Sequence, residues 1–138
     1  MGLERFIEAQ SETWASALEE LERGAKQSHW MWFIFPQLAA LGRSDTAKYY
    51  GIQDLAEARA YLAHPVLSAR LETAARAVLR HPERPVAAIM GPIDALKLRS
   101  SATLFHAAGG GPVFQDLLDT FYDGVACPAT HKLLDKQG

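Results

Sequence analysis

The chain has 138 residues, 14 Lys and Arg against 16 Asp and Glu, a net charge of −2 and 49% hydrophobic residues. That length fits one domain over 1–138 and suffices to bury a core without a disulfide or a metal. The absence of a basic excess argues against general nucleic-acid binding, and the longest apolar run, Trp30 to Pro36, is far too short to cross a membrane.

The N-terminal residues open straight into an amphipathic pattern that includes acids, unlike a signal peptide. Together with a single cysteine, Cys127, this suits a reducing, cytoplasmic location. From Leu3 to Arg23, the residues Leu3, Phe6, Ile7, Trp14, Ala17, Leu18 and Leu21 form one stripe of helical period. Gly24 is placed to end that helix in a left-handed cap. Next comes His29-Trp30-Met31-Trp32-Phe33-Ile34-Phe35-Pro36-Gln37, the densest apolar stretch in the chain. Ser28 is a candidate cap for a second helix that Pro36 would stop, with a buried strand as the alternative.

Gly42 to Asp45 has loop composition, with a short helical turn after it through Tyr50. Asp54-Leu55-Ala56-Glu57 resembles a capping box opening a helix to about Ala63. His64-Pro65 breaks it and starts another, whose buried face is Leu67, Leu71, Ala74, Ala75, Val78 and Leu79. His81-Pro82-Glu83-Arg84-Pro85 is a break, and Val86 to Met90 is a short apolar piece closed by Gly91-Pro92. A helix is expected over Asp94–Ala107, another after Pro112 carrying Phe114, Leu117, Leu118, Phe121 and Tyr122, and a last one from Pro128 to Lys136. Strand signals are scarce. The fold expected is all-α, a compact multihelical domain around the central aromatic segment.

Two segments combine polar chemistry with these elements. In the first, Trp30 and Trp32 offer indole faces for a planar ligand, His29 and Gln37 offer hydrogen bonds, and Lys26 offers a positive charge. The plainer reading is a core element with capped polar ends. In the second, Lys97, Ser100 and Ser101 lie within one helical turn, a cation beside hydroxyls that suits a phosphate or carboxylate. Its plainer reading has the hydroxyls bonding back to their own helix. His106 follows and could reach the same place. Pairing Ser100 or Ser101 with His29 or His106 would be a nucleophile and base, but no Gly-x-Ser-x-Gly elbow surrounds either serine. His64 and His81, each before a proline, suit capping or solvation. No histidine has metal-ligand spacing, so no metal and no cofactor is expected. Cys127, beside Pro128, reads as an incidental thiol.

Phe6-Ile7-Glu8-Ala9-Gln10, His29 to Gln37, His64-Pro65-Val66-Leu67 and Lys97 to Phe105 occur in that order. In these motifs the chain resembles the domain-of-unknown-function 1810 family over nearly its whole length, with Ala102 where the family pattern favours methionine. The resemblance implies a compact, mainly helical fold and supplies no activity. The function expected is binding of, or action on, a small anionic planar metabolite such as a nucleotide, in a pocket formed by segments 29–37 and 97–103. The alternative is a non-enzymatic interaction or structural domain in which the same motifs only specify the core. The oligomeric state is left open.

Overall fold

A computed structural model describes residues 2–137; among them the chain folds into nine α-helices with no strand, the all-α class the periodicity predicts. Helix α1 (Glu4–Arg23) ends at Gly24, whose φ of 74° is the left-handed conformation that glycine adopts without strain. The break at residues 81–85 completes this terminus. His81 Nε2 lies 3.0 Å from the carbonyls of Leu21 and Glu22, and Arg84 donates to the carbonyls of Arg23 and Gly24. Carbonyls only accept, so Nε2 carries the proton.

The aromatic run forms one short helix, α2 (Met31–Ile34), and not a strand. Ser28 does not cap it. Its N–H and hydroxyl donate instead to the buried carboxylate of Glu20, which also accepts from Gln27 N and from the Trp30 indole at 2.7–3.0 Å. Burial alone would raise the Glu20 pKa; the hydrogen bonds outweigh it and hold the group at about 2.

A 3₁₀ turn (Ala39–Leu41) leads to α3 (Asp45–Tyr49), which Ser44 caps. Residues 37–39 lie against 51–52 through Ile52 N to Gln37 O and Ala39 N to Ile52 O, at 2.9 and 2.8 Å. Gly51 permits this approach, since a Cβ there would sit 2.3 Å from Ala39 Cα. Helix α4 (Leu55–Ala63) starts on half of the expected capping box. Asp54 accepts from Glu57 N, but the Glu57 carboxylate accepts from Gln53 N and Arg5. Helix α5 (Pro65–Leu79) is capped by His64 Nδ1, which accepts from Val66 and Leu67 N.

The chain continues through α6 (Val86–Met90), α7 (Pro92–Ala107), α8 (Val113–Phe121) and α9 (Pro128–Gln137). Helix α7 packs against α4, α6, α8 and α9 and buries residues on almost every side from Ala95 to Phe105. A helix so enclosed needs small side chains where neighbours approach, which accounts for Ser100, Ser101 and Ala102. A chain of aromatic contacts crosses the core, from Phe33 to Tyr50, Phe6, Tyr61, Phe105 and Phe114, at 5.2–6.2 Å between centroids. Gln10 ties it together: its buried amide donates to Phe33 O at 2.7 Å and to the Tyr61 hydroxyl at 3.0 Å.

Replacing Glu20 with Gln sets an amide N–H₂ among donors and should cost about 2–3 kcal/mol, measured by urea denaturation at neutral pH. The Glu20 pKa falls from 4.5 to about 2 on folding, so its contribution is complete above pH 4.5 and is lost as pH drops toward 2. The difference between wild type and Glu20→Gln should shrink over that interval.

Candidate functional site

Positions two apart on a helical turn point in roughly opposite directions, about 200° around the axis. Trp30 faces inward, fully buried with its N–H on Glu20; Trp32 therefore faces outward and is half-buried. Lys97 on α7 lies over the Trp32 ring, with Nζ 5.5 Å from the centroid. Hollows open on every side of this pair. One of about 300 Å³ lies toward His29, Lys26 and the α6–α7 corner at Gly91–Asp94. A narrow slot runs between Trp32, Gln37, Tyr50 and Gly51. A third, about 350 Å³, reaches Gln37, Arg43 and Ser44. The widest, about 530 Å³, is bounded by Gln37, Arg43, Ile93, Leu96, Ser100 and Cys127. Lys97 lines all four, so they adjoin around its side chain and are treated together as one groove.

The two ends differ electrically. Near α6, Lys26 is nearly buried, 2.8 Å from Asp94 Oδ2 and 4.8 Å from the Trp30 ring centroid, and it donates to Ser28 O. Its charge is already met. Lys97 is 3.7 Å from the other Asp94 oxygen and four times as exposed (28% against 7%), so its pairing is much weaker. At the opposite end the Arg43 guanidinium, the Gln37 side chain and the Trp32 indole N–H have no hydrogen-bond or ion-pair partner among the described residues. By contrast, Arg5 binds Tyr49 O, Gly51 O and Glu57, and Arg99 binds Val125 O and Ala126 O.

Of the residues singled out from sequence, Lys26, His29, Trp32, Gln37, Lys97 and Ser100 line this groove, although they come from two segments sixty positions apart. Trp30 and Ser101 do not. Trp30 is a core residue held by Glu20, and Ser101 is buried with an unpartnered hydroxyl. Ser100 lies at the wide end, where its hydroxyl donates back to Leu96 O, and Thr103 does the same to Arg99 O. Neither serine hydrogen-bonds a histidine, and His106 is exposed outside the groove, so the serine–histidine pairing is not formed. Sequence reasoning missed Asp94 and Arg43. The i, i+3 spacing of Asp94 and Lys97 is a readable signal. Arg43, in a loop distant in sequence from both motifs, has none.

Ser101 offers a clean check on the boundary between groove and core. Its buried hydroxyl has no partner, so Ser101→Ala should stabilise the fold by about 1 kcal/mol in urea denaturation. A loss of stability would mean that this hydroxyl has a partner.

No curated protein matches the chain. Among solved structures, the conserved hypothetical protein Rv1873 from Mycobacterium tuberculosis is similar, with a TM-score of 0.94 and 45% identity over 96% of each chain. The model of the family described as "Protein of unknown function (DUF1810)" matches residues 1–134. The similarity thus covers α1 through most of α9, including both segments that build the groove, and the chain belongs to the DUF1810 family.

Proposed function

We propose that the groove binds a small planar anion of the nucleotide type. The observation that carries this reading is Lys97 poised over the Trp32 ring, with unpartnered Gln37 and Arg43 lining the same hollows. Arg43 is exposed and Gln37 half-buried, so neither is tied to the protein and both are free to exchange water for a ligand beside the half-buried Trp32 indole. The planar part of the ligand stacks on Trp32. Its anionic part goes toward Lys97 and Arg43, away from the neutralised Lys26–Asp94 pair. Gln37 hydrogen-bonds between them, and His29 and Asp94 meet a polar group at the narrower end.

A second reading draws on Ile93 and Leu96, which are 68% and 64% exposed on one side of α7 at the lip of the groove. Such side chains favour a protein partner, for which Lys97 and Arg43 would supply a polar rim.

A thermal-shift screen with nucleotides, dinucleotides, ADP-ribose and sugar phosphates separates the two. A ligand at about 100 times its Kd adds about 2.7 kcal/mol of stability. The expected result is a rise in Tm that disappears in Lys97→Ala and Trp32→Leu, while both variants remain folded without ligand. A blank screen of well-folded protein would remove the small-molecule reading and favour the partner surface.

A further inference from the structure

Two lysines of the groove each lie over an indole, and one carboxylate stands between them. Lys26 is 4.8 Å from the Trp30 centroid, and Lys97 is 5.5 Å from the Trp32 centroid. Asp94 meets Lys26 at 2.8 Å with one oxygen and Lys97 at 3.7 Å with the other. The two ammonium groups are not held alike. Lys26 also donates to Ser28 O at 2.6 Å and is nearly buried, which fixes it in place. Among the described residues, Lys97 has only the Trp32 ring and a long ion pair one turn back on its own helix, and its side chain is partly exposed.

That position decides what reaches Trp32. Ring atoms stacked on an indole sit about 3.5–4.0 Å from it, and an ammonium above them needs a similar gap. A ring between Trp32 and Lys97 thus requires about 7 Å. The ammonium is only 5.5 Å from the centroid. Trp32 lines three of the four hollows, and Lys97 lines each of those three. A planar group therefore meets the Lys97 side chain through whichever hollow it approaches the indole.

Where the ammonium goes depends on charge. Among the described residues, no acid lines the two hollows on the Arg43 side, and Lys97 borders both. With no anion there, a move toward Arg43 exchanges Asp94 and the Trp32 ring for a like charge. With an anion there, the same move gains a counterion. The anion thus has a higher affinity for the displaced position, and such a difference is what shifts a two-state equilibrium. We propose that Lys97 is the specificity residue of the groove. Its ammonium covers Trp32 until an anion draws it toward Arg43, so planar anions are admitted and uncharged planar molecules such as nucleosides are turned away. A ligand with both a ring and an anionic group displaces the ammonium once, so its two parts bind with positive coupling. The selection of planar ligands rests on the ligand reading above; the displacement itself does not.

Acrylamide, an uncharged quencher, reads the cover over Trp32 in the whole chain carrying Trp14→Phe. Trp30 is fully buried there, which leaves Trp32 as the accessible indole. Inorganic pyrophosphate serves as the anion. The expected result is that pyrophosphate raises the quenching constant about twofold, as does Lys97→Ala with no anion present. In Lys97→Ala, pyrophosphate should add nothing further. Lys97→Met keeps an unbranched stem beside the ring without the charge. It should quench like the parent and ignore pyrophosphate, which guards against a loosened fold in the alanine variant. Arg43→Ala should move the response to several-fold higher pyrophosphate. Quenching unaltered or lowered by pyrophosphate overturns the proposal. So does an equal rise with sodium chloride at the same ionic strength, a response unmoved by Arg43→Ala, or a Lys97→Ala variant no more accessible than its parent. No nucleotide is present in these titrations. A blank metabolite screen beside a pyrophosphate response therefore removes the ligand class and leaves the displacement, and a nucleotide hit beside an unaltered quenching constant does the reverse.

Discussion

The Glu20 carboxylate is the constraint on which the rest of the structure depends. It collects the backbone N–H groups of Gln27 and Ser28, the Ser28 hydroxyl and the Trp30 indole N–H. Four donors on one nearly buried carboxylate bend the chain sharply after α1 and deliver Trp30 into the core. Once Trp30 is fixed inward, helical geometry turns Trp32 outward. The aromatic run thus serves two purposes through one anchor, a core residue and a groove residue two positions apart. Gln10 supports the same segment from the other side by binding the Phe33 carbonyl.

The second organising element is α7. Its residues divide by direction around a single helix: Leu98, Ala102 and Phe105 to the core, Lys97 to the groove, and Arg99, Ser100 and Thr103 to the segment before α9. Asp94 one turn earlier neutralises Lys26 more closely than it does Lys97. The positive potential of the groove is therefore concentrated at Lys97 and Arg43, although the chain as a whole carries a net negative charge.

Local chemistry made most of the fold readable. The stripe of α1, the Gly24 cap, Pro65 at the start of α5 and the Asp54 cap each depend on residues within a few positions of one another, and each element forms where those signals fall. Ser28 misled because its competing partner, Glu20, lies eight residues back in another element. Lys97 and Trp32 were legible as unusual residues in unusual company, and α7 packing brings them to 5.5 Å. Ser101 and Trp30 looked equally suited to a site, but which face of a helix is enclosed depends on neighbours that sequence periodicity does not name. From Ser100 to Phe105, α7 is buried on every side and has no exposed side to reveal its orientation. Arg43 was not legible as a site residue, since its surroundings come from segments far away in the chain.

The account's central claim is that Trp32 faces an accessible groove of net positive charge while Trp30 is sealed in the core. Fluorescence quenching of the Trp14→Phe variant, which keeps only these two indoles, tests it most directly. Iodide should quench Trp32 more effectively than caesium, Trp30 should remain shielded from both ions, and the preference for iodide should vanish when Lys97 and Arg43 are both replaced by alanine. Equal quenching by the two ions, or stronger quenching by caesium, would contradict the account.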